Sequence, residues 1–371
     1  MPKKQSNIDI SKFINKIIVN EEVEAFIPTT AFNDLPVNDV LKRNITAKGY
    51  TTPTPIQDEA IPYILAGRDI VGIANTGTGK TGAFLIPLIN KIVESPKENV
   101  LIVVPTRELA TQINQEFKEF ARGTGLFSVC CVGGASISGQ IRDLRRRNHV
   151  VIGTPGRMKD LFQRRSLDLA RFNTVVLDEA DRMLDMGFIN DMRFLLSHLP
   201  KRRHTLFFSA TLSRDIENII GDFLVDPIHI SVKTQDTAKN VDQDIVKIAG
   251  SDKIDVLQGL LSQKEFTKVL VFGRTKHGVE KLSKILAKNG FNVQSIHGNK
   301  SHYERQKALA LFSNSQTHIL VATDVAARGL DIEDISHVIN YDLPNSYDDY
   351  VHRIGRTGRG DKKGKALTFV G

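Results

Sequence analysis

Two short stretches of this chain carry side chains able to handle a triphosphate. The first, Ala74-Asn75-Thr76-Gly77-Thr78-Gly79-Lys80-Thr81, follows the apolar run Ile70-Val71-Gly72-Ile73 and has the form of a phosphate-binding loop. Glycines there let backbone N–H groups turn toward phosphate oxygens, Lys80 can reach the β- and γ-phosphates, and the Thr81 hydroxyl can hold Mg²⁺. Ala74 stands where the strict pattern has its first glycine. The second stretch, Asp178-Glu179-Ala180-Asp181, follows Thr174-Val175-Val176-Leu177, a β-branched run that would deliver adjacent carboxylates at the end of a strand. Asp178 can hold Mg²⁺ through a water, and Glu179 can orient and deprotonate an attacking water. An acidic tetrad alone reads as a solvated turn. The apolar lead-in and the phosphate loop upstream point instead to nucleotide hydrolysis.

Such groups need rigid elements beneath them, and the chain supplies a repeating alternation. Strand-like runs are expected at Ile70–Ile73, Val100–Val104, Val129–Val132, Val150–Ile152, Val175–Leu177, Thr205–Phe208 and Ile228–Val232. Helical patterns lie between them, as in Glu108–Ala121, where Leu109, Ile113, Phe117 and Phe120 recur at helical spacing. This alternation predicts an α/β fold with a mainly parallel sheet and helices on both faces. Most of the chemistry-bearing residues fall just after a strand, where open α/β sheets bind ligands.

Residues 233–243 read as a linker, after which strands are expected near Ile245–Ile248, Val269–Phe272, Val293–Ile296, Ile319–Val321, Val338–Tyr341 and Leu367–Val370. The expected organisation is an N-terminal extension at 1–29, a first domain at 30–232, a linker at 233–243 and a second α/β domain at 244–371, with its closing helix absent. The extension has the makings of one amphipathic helix, with Phe13, Ile14, Ile17, Ile18 and Val19. The second domain has no phosphate loop, but Arg328, Arg353, Arg356 and Arg359 all follow its strands.

A length of 371 residues suits two domains better than one, and 41% hydrophobic content can fill both cores. A formal charge of +8 favours a polyanionic partner such as nucleic acid. The two cysteines, Cys130 and Cys131, are adjacent in an apolar run and have no zinc-like spacing; they are expected to be buried in a reducing compartment. No run of 18 apolar residues and no signal-peptide pattern occurs, so no membrane is expected as partner and the location is expected to be cytoplasmic.

Taken in order, these stretches resemble the DEAD-box family of ATP-dependent RNA helicases across roughly residues 30–371. Thr54-Pro55-Ile56-Gln57, Pro105-Thr106-Arg107-Glu108-Leu109-Ala110, Gly133-Gly134, Thr154-Pro155-Gly156-Arg157, Ser209-Ala210-Thr211 and His352-Arg353-Ile354-Gly355-Arg356-Thr357-Gly358-Arg359 add to the resemblance. It implies two tandem RecA-like domains that close over ATP and single-stranded RNA, with ATP and Mg²⁺ as cofactors and a monomeric protein.

Residue by residue, it implies adenine contacts from Phe32 and Gln57, the latter through an amide that matches adenine's N6 and N7. Phosphate contacts would come from Thr76, Gly77, Thr78, Gly79, Lys80 and Thr81, metal binding from Thr81 and Asp178, and ribose binding from Asp331. Glu179 would be the general base and Arg356 and Arg359 the arginine fingers. Ser209, Thr211 and Asp181 would couple nucleotide state to closure. RNA contacts would come from Thr106, Arg107, Gly133, Gly134, Thr154 and Arg157, and in the second domain from Arg274, Arg305 and Thr323. These address phosphate and sugar, so binding would ignore base sequence. The implied activity is local, non-processive unwinding driven by ATP; the same motifs would serve an RNA clamp or ribonucleoprotein assembly factor that grips without unwinding. Asn299 and His302 depart from a family stretch that more often has Asp and Gln, and His204 stands where Gln is frequent.

Overall fold

Nearly every expected apolar run becomes a strand, and the strands in the middle of each sheet are buried on both faces. The computed structural model describes residues 14, 26–75, 77–232, 241–248, 250, 252–327, 332, 334–358 and 363–371. They fall into two compact units, divided after Thr234. Most of the expected extension, along with Thr76, Arg328, Asp331 and Arg359, lies outside the described residues.

The first unit holds seven parallel strands: β1 (Ile70–Ile73), β2 (Val100–Val103), β3 (Ser128–Cys131), β4 (Val150–Gly153), β5 (Thr174–Leu177), β6 (His204–Ser209) and β7 (Ile228–Ser231), in the order β3-β4-β2-β5-β6-β1-β7. Alternate residues feed two cores. Ile70, Ile102, Val176 and Phe208 point to one, while Val71, Leu101, Val175 and Phe207 point to the other. Burial on both faces requires a continuous apolar run rather than a polar alternation, which is why these strands are legible in the sequence. Cys130 and Cys131 obey the same period, one packing against each core, and both thiols are free. Burial pushes them up to about 11 and about 12, so they are protonated and inert near neutral pH.

The second unit holds six parallel strands: β8 (Val241–Lys247), β9 (Val269–Phe272), β10 (Val293–Ile296), β11 (Ile319–Ala322), β12 (His337–Asn340) and β13 (Gly364–Val370), in the order β10-β11-β9-β12-β13-β8. The expected linker ends too late. Residues 241–243 already belong to β8, which pairs with β13 from Val241↔Gly364 onward. Their composition, Val-Asp-Gln, hides this, because Gln243 is buried at 1% exposure and its Oε1 accepts the Tyr350 hydroxyl at 2.9 Å. The remainder of the expected linker, 233–240, lies outside the described residues.

Two polar side chains that stood out in the sequence prove to be framework. Arg353 is 2% exposed and bidentate to Asp324, with Nε to Oδ1 at 2.6 Å and Nη2 to Oδ2 at 2.7 Å. Its Nη1 donates to the Asp342 carbonyl and to Asn340 Oδ1, and the guanidinium lies 5.0 Å from the Phe272 ring centroid. It therefore ties the helix Tyr347–Ile354 to the ends of β9, β11 and β12. His204 begins β6, at the opposite end of the sheet from Ser209. Its Nε2 donates to the Arg68 carbonyl at 2.8 Å and its Nδ1 faces Lys91 Nζ at 3.5 Å. Burial and the Lys91 charge hold it below the ordinary imidazole range, so it is neutral and stays clear of the chemistry.

Candidate nucleotide and RNA site

Because every strand in a unit runs the same way, all strand C-termini meet one rim. At the first unit's rim the β1 loop is braced from the side by Thr54–Gln57. Thr54 Oγ1 donates to the Thr78 carbonyl at 2.7 Å and Gln57 Nε2 to the Gly79 carbonyl at 3.0 Å, while Gln57 Oε1 accepts the Thr54 N–H at 2.9 Å. Gly79 has φ +92°, and a Cβ there would lie 2.6 Å from Gln57 Nε2, so only glycine lets the loop turn against its brace. Gln57 is 2% exposed and spends one amide hydrogen and one lone pair on this scaffold. The family resemblance implied an adenine contact for that amide; here it also shapes the loop.

Phe32, expected to stack on adenine, sits in the core at 2% exposure. Its ring packs on the edge of Tyr50 with centroids 5.6 Å apart, and Tyr50 packs on Phe120 at 5.4 Å. The aromatic beside Gln57 is Tyr50. A Cβ on Gly82 would meet Gln57 Nε2 at 2.8 Å and Tyr50 Cε1 at 3.1 Å, so both side chains border the start of the helix Lys80–Glu94. Phe32 supports Tyr50 from within the core. The signal was present in Gly49-Tyr50, seven residues ahead of Gln57, but only the fold shows that the Tyr50 ring borders the start of that helix.

Lys80 is 6% exposed, and its Nζ curls back to donate to the Ala74 carbonyl at 2.9 Å. Gly77 and Thr78 complete the turn, with Thr78 Oγ1 donating to the Asn75 carbonyl at 2.8 Å. Asp178, at the end of β5, is 3% exposed and accepts the Glu179 N–H on Oδ1 at 2.9 Å. Burial pushes its carboxyl up to about 6, with Lys80 pulling the other way and Glu179 and Asp181 adding to the rise. A desolvated carboxylate that wants a cation, with the Thr81 hydroxyl as a second hard oxygen donor, is a set that fits Mg²⁺. Glu179 is 5% exposed, adopts φ 52° and ψ 51°, and accepts Arg182 Nη1 on Oε2 at 2.8 Å. Left-handed backbone is uncommon for glutamate and costs on the order of 1 kcal/mol. It marks a side chain whose direction is fixed.

Asp181 joins β5 to β6. Its Oδ2 accepts the Ala210 N–H at 3.1 Å and Thr211 Oγ1 at 3.4 Å, and its own N–H donates to Ser209 Oγ at 3.3 Å. Ser209 Oγ in turn donates to the Thr211 carbonyl at 2.8 Å. The three residues expected to couple are thus one hydrogen-bonded cluster.

The expected RNA residues of this unit follow β2, β3 and β4, which are adjacent in the sheet. The Arg107 guanidinium lies flat against Gly133-Gly134: a Cβ on Gly134, whose φ is +78°, would sit 2.1 Å from Nη1. Arg157 Nη1 donates to the Ala135 carbonyl at 3.3 Å. Thr106 and Thr154, implied as RNA contacts, are less open than that role would suggest. Both are buried, and Thr106 Oγ1 caps the helix Arg107–Phe120 by accepting the Leu109 N–H at 3.3 Å.

The second unit repeats the pattern. Arg274 follows β9, Thr323 follows β11, and Arg305 stands in the helix His302–Ser313 after β10, so these too belong to three adjacent strands. Arg274 is exposed while its N–H donates to Asp342 Oδ2 at 2.9 Å. Arg305 is buried at 8%, at odds with an open phosphate contact. Ser301 and Glu304 form a capping box on that helix, with the Ser301 N–H donating to Glu304 Oε2 at 2.8 Å, so the departures at Asn299 and His302 leave the helix start intact. Arg356, expected as a finger, is 3% exposed, and its Nε donates to the His352 carbonyl at 3.3 Å. The helix Tyr347–Ile354 ends at Gly355, and the side chain folds back along it.

A phosphate loop on β1 and an acidic pair on β5 of a parallel sheet define a nucleotide-binding α/β protein of the RecA-like kind, here with two such sheets. Residues 54–219 match the DEAD/DEAH box helicase family and residues 252–361 the helicase conserved C-terminal domain. The DEAD-box ATP-dependent RNA helicases CshA of Bacillus cereus and Bacillus licheniformis are 44% and 43% identical to it over 344 residues, or 92% of this chain. The match covers 65% and 71% of those proteins, so the chain spans about two thirds of their length. The structure of S. cerevisiae Dbp5 bound to RNA and ADP BeF3 is similar at a TM-score of 0.81 and 30% identity, over 92% of this chain and 89% of that one. The chain belongs to the DEAD-box family.

Two outcomes follow from this geometry. Tyr50→Ala should weaken ATP binding, measured by nucleotide titration, more than Phe32→Leu, which should chiefly lower the melting temperature; the reverse ranking would return the adenine to Phe32. Asp178→Asn should stabilise the nucleotide-free chain. The folded value of about 6 lies above the ordinary 3.8, so the cost of the buried charge is absent below about pH 4, grows between the two values and is complete above about pH 6. Urea unfolding should show a gain on the order of 2–3 kcal/mol near pH 8 and a smaller one near pH 5. An equal gain at both would contradict a titrating buried carboxylate.

Proposed function

We propose that this chain is an RNA-stimulated ATPase that converts ATP and water to ADP and phosphate, and that it uses the cycle to bind, locally unwind and release RNA. The observation that carries the reading is the shared rim. Nucleotide residues follow β1, β5 and β6, candidate RNA residues follow the neighbouring β2, β4 and β3, and the Asp181 cluster sits on the nucleotide side of that boundary. A change at the γ-phosphate can therefore alter the RNA-facing loops over short, packed distances.

In this reading Gly77, Thr78 and Gly79 cradle the phosphates with backbone N–H groups, and Lys80 leaves the Ala74 carbonyl to neutralise the β/γ oxygens. Thr81 and, through water, Asp178 hold Mg²⁺, which when bound supplies Lewis-acid neutralisation of the phosphate oxygens. Glu179 takes the proton of the attacking water. Arg359, with Arg356 once it is drawn from its buried position, balances charge in the transition state. Arg107, Gly133-Gly134, Arg157 and Arg274 address phosphates and sugars, so binding ignores sequence.

Disruption of a duplex costs about 1.4 kcal/mol per base step if RNA behaves like DNA, so one cycle opens only a few pairs and unwinding is non-processive. Strand displacement should succeed on a duplex of about 10 base pairs and fail on one of about 30 at the same ATP concentration. Glu179→Gln should bind ATP, stop hydrolysis and hold RNA longer. If ATP accelerates RNA release but displaces no strand, the chain is a clamp rather than a helicase.

A further inference from the structure

The Glu179 carboxylate is not left to solvent: it is held one helical turn away by Arg182. The ion pair joins Arg182 Nη1 to Glu179 Oε2 at 2.8 Å, with the two side chains 8% and 7% exposed. Three further features make this more than a surface contact. Glu179 is the N-cap of the short helix Ala180–Asp185, and its left-handed backbone fixes where the carboxylate leaves the chain. Arg182 is three residues on, and an i,i+3 spacing returns its side chain to the same helical face. The start of that helix is also clamped, since Asp181 accepts the Arg182 N–H on Oδ1 at 3.0 Å while its Oδ2 binds Ala210 and Thr211. A desolvated guanidinium–carboxylate contact is directional and resists rotation about the carboxylate's own bonds.

We propose that Arg182 is a positioning residue for ATP hydrolysis: by anchoring Oε2 it sets the direction in which Glu179 Oε1 meets the attacking water. The proposal rests on the reading of Glu179 as the base. Arg182 acts through the Glu179 carboxylate that it holds, so its loss should appear in turnover rather than in nucleotide binding. A base displaced by about an ångström loses on the order of a hundredfold in rate.

The test is a cycle of Arg182→Met and Arg182→Lys, each in the wild-type and Glu179→Gln backgrounds, with kcat, KM for ATP, nucleotide affinity and melting temperature measured for all. Arg182→Met should lower kcat by at least about tenfold while KM and affinity stay within about twofold, and Arg182→Lys should recover part of the rate. In the Glu179→Gln background neither change should lower the residual rate further, because the group being positioned is gone. An unchanged kcat in Arg182→Met, a loss carried by KM, or an equal proportional loss in both backgrounds would overturn the proposal. Should Arg182→Met fail to fold, Arg182→Lys and Arg182→Gln are judged on the same criteria. Wild-type hydrolysis by Glu179→Gln alone would overturn instead the reading of Glu179 as the base.

Discussion

A buried parallel strand cannot turn straight back into its neighbour, and this constraint places most of the chemical groups of the first unit. Each strand must exit at the same rim and return through a helix on a face of the sheet, so the first residues after every strand share one edge. The phosphate loop, Asp178-Glu179, Ser209-Ala210-Thr211, Arg107, Gly133-Gly134 and Arg157 occupy that edge although they span more than a third of the sequence. The crossed order β3-β4-β2-β5-β6-β1-β7 then sorts them, the proposed nucleotide groups toward one side and the proposed RNA groups toward the other.

On this rim the chain accepts buried polar groups and strained backbone that a core would reject. Gln57 is spent partly on the loop it braces, Asp178 is desolvated, and Glu179 combines left-handed backbone with a buried ion pair. Each is unfavourable alone and makes sense as preparation for a charged ligand, since reorganisation is completed at folding rather than during turnover. The Asp181 cluster belongs to the same economy. It joins β5 to β6 through a carboxylate instead of an apolar contact.

Strands were legible where burial on both faces required apolar runs: β1 and β9 begin and end at the expected residues. The start of β8 was not, because Gln243 is buried by a hydrogen bond to Tyr350 that joins residues far apart in the chain. The candidate site was legible in residue type and order but not in depth. The family resemblance implied an adenine contact at Phe32, which fills the core behind Tyr50, and an arginine finger at Arg356, which folds back along its helix. Thr106 likewise gives its hydroxyl to a helix cap. In each case a local sequence pattern fixes chemistry, whereas exposure depends on packing partners supplied by distant segments. Arg182 had no signal at all, since a basic residue after an acidic tetrad is ordinary until its partner is seen to be the proposed base.

On the proposed shared rim, bound nucleotide and bound RNA influence each other. Steady-state ATP hydrolysis by the intact chain, measured with no nucleic acid, with single-stranded RNA and with single-stranded DNA of the same length, tests this coupling most directly. Slow hydrolysis alone, a large acceleration by RNA and little by DNA are expected. Hydrolysis that runs at one rate in all three conditions would contradict it.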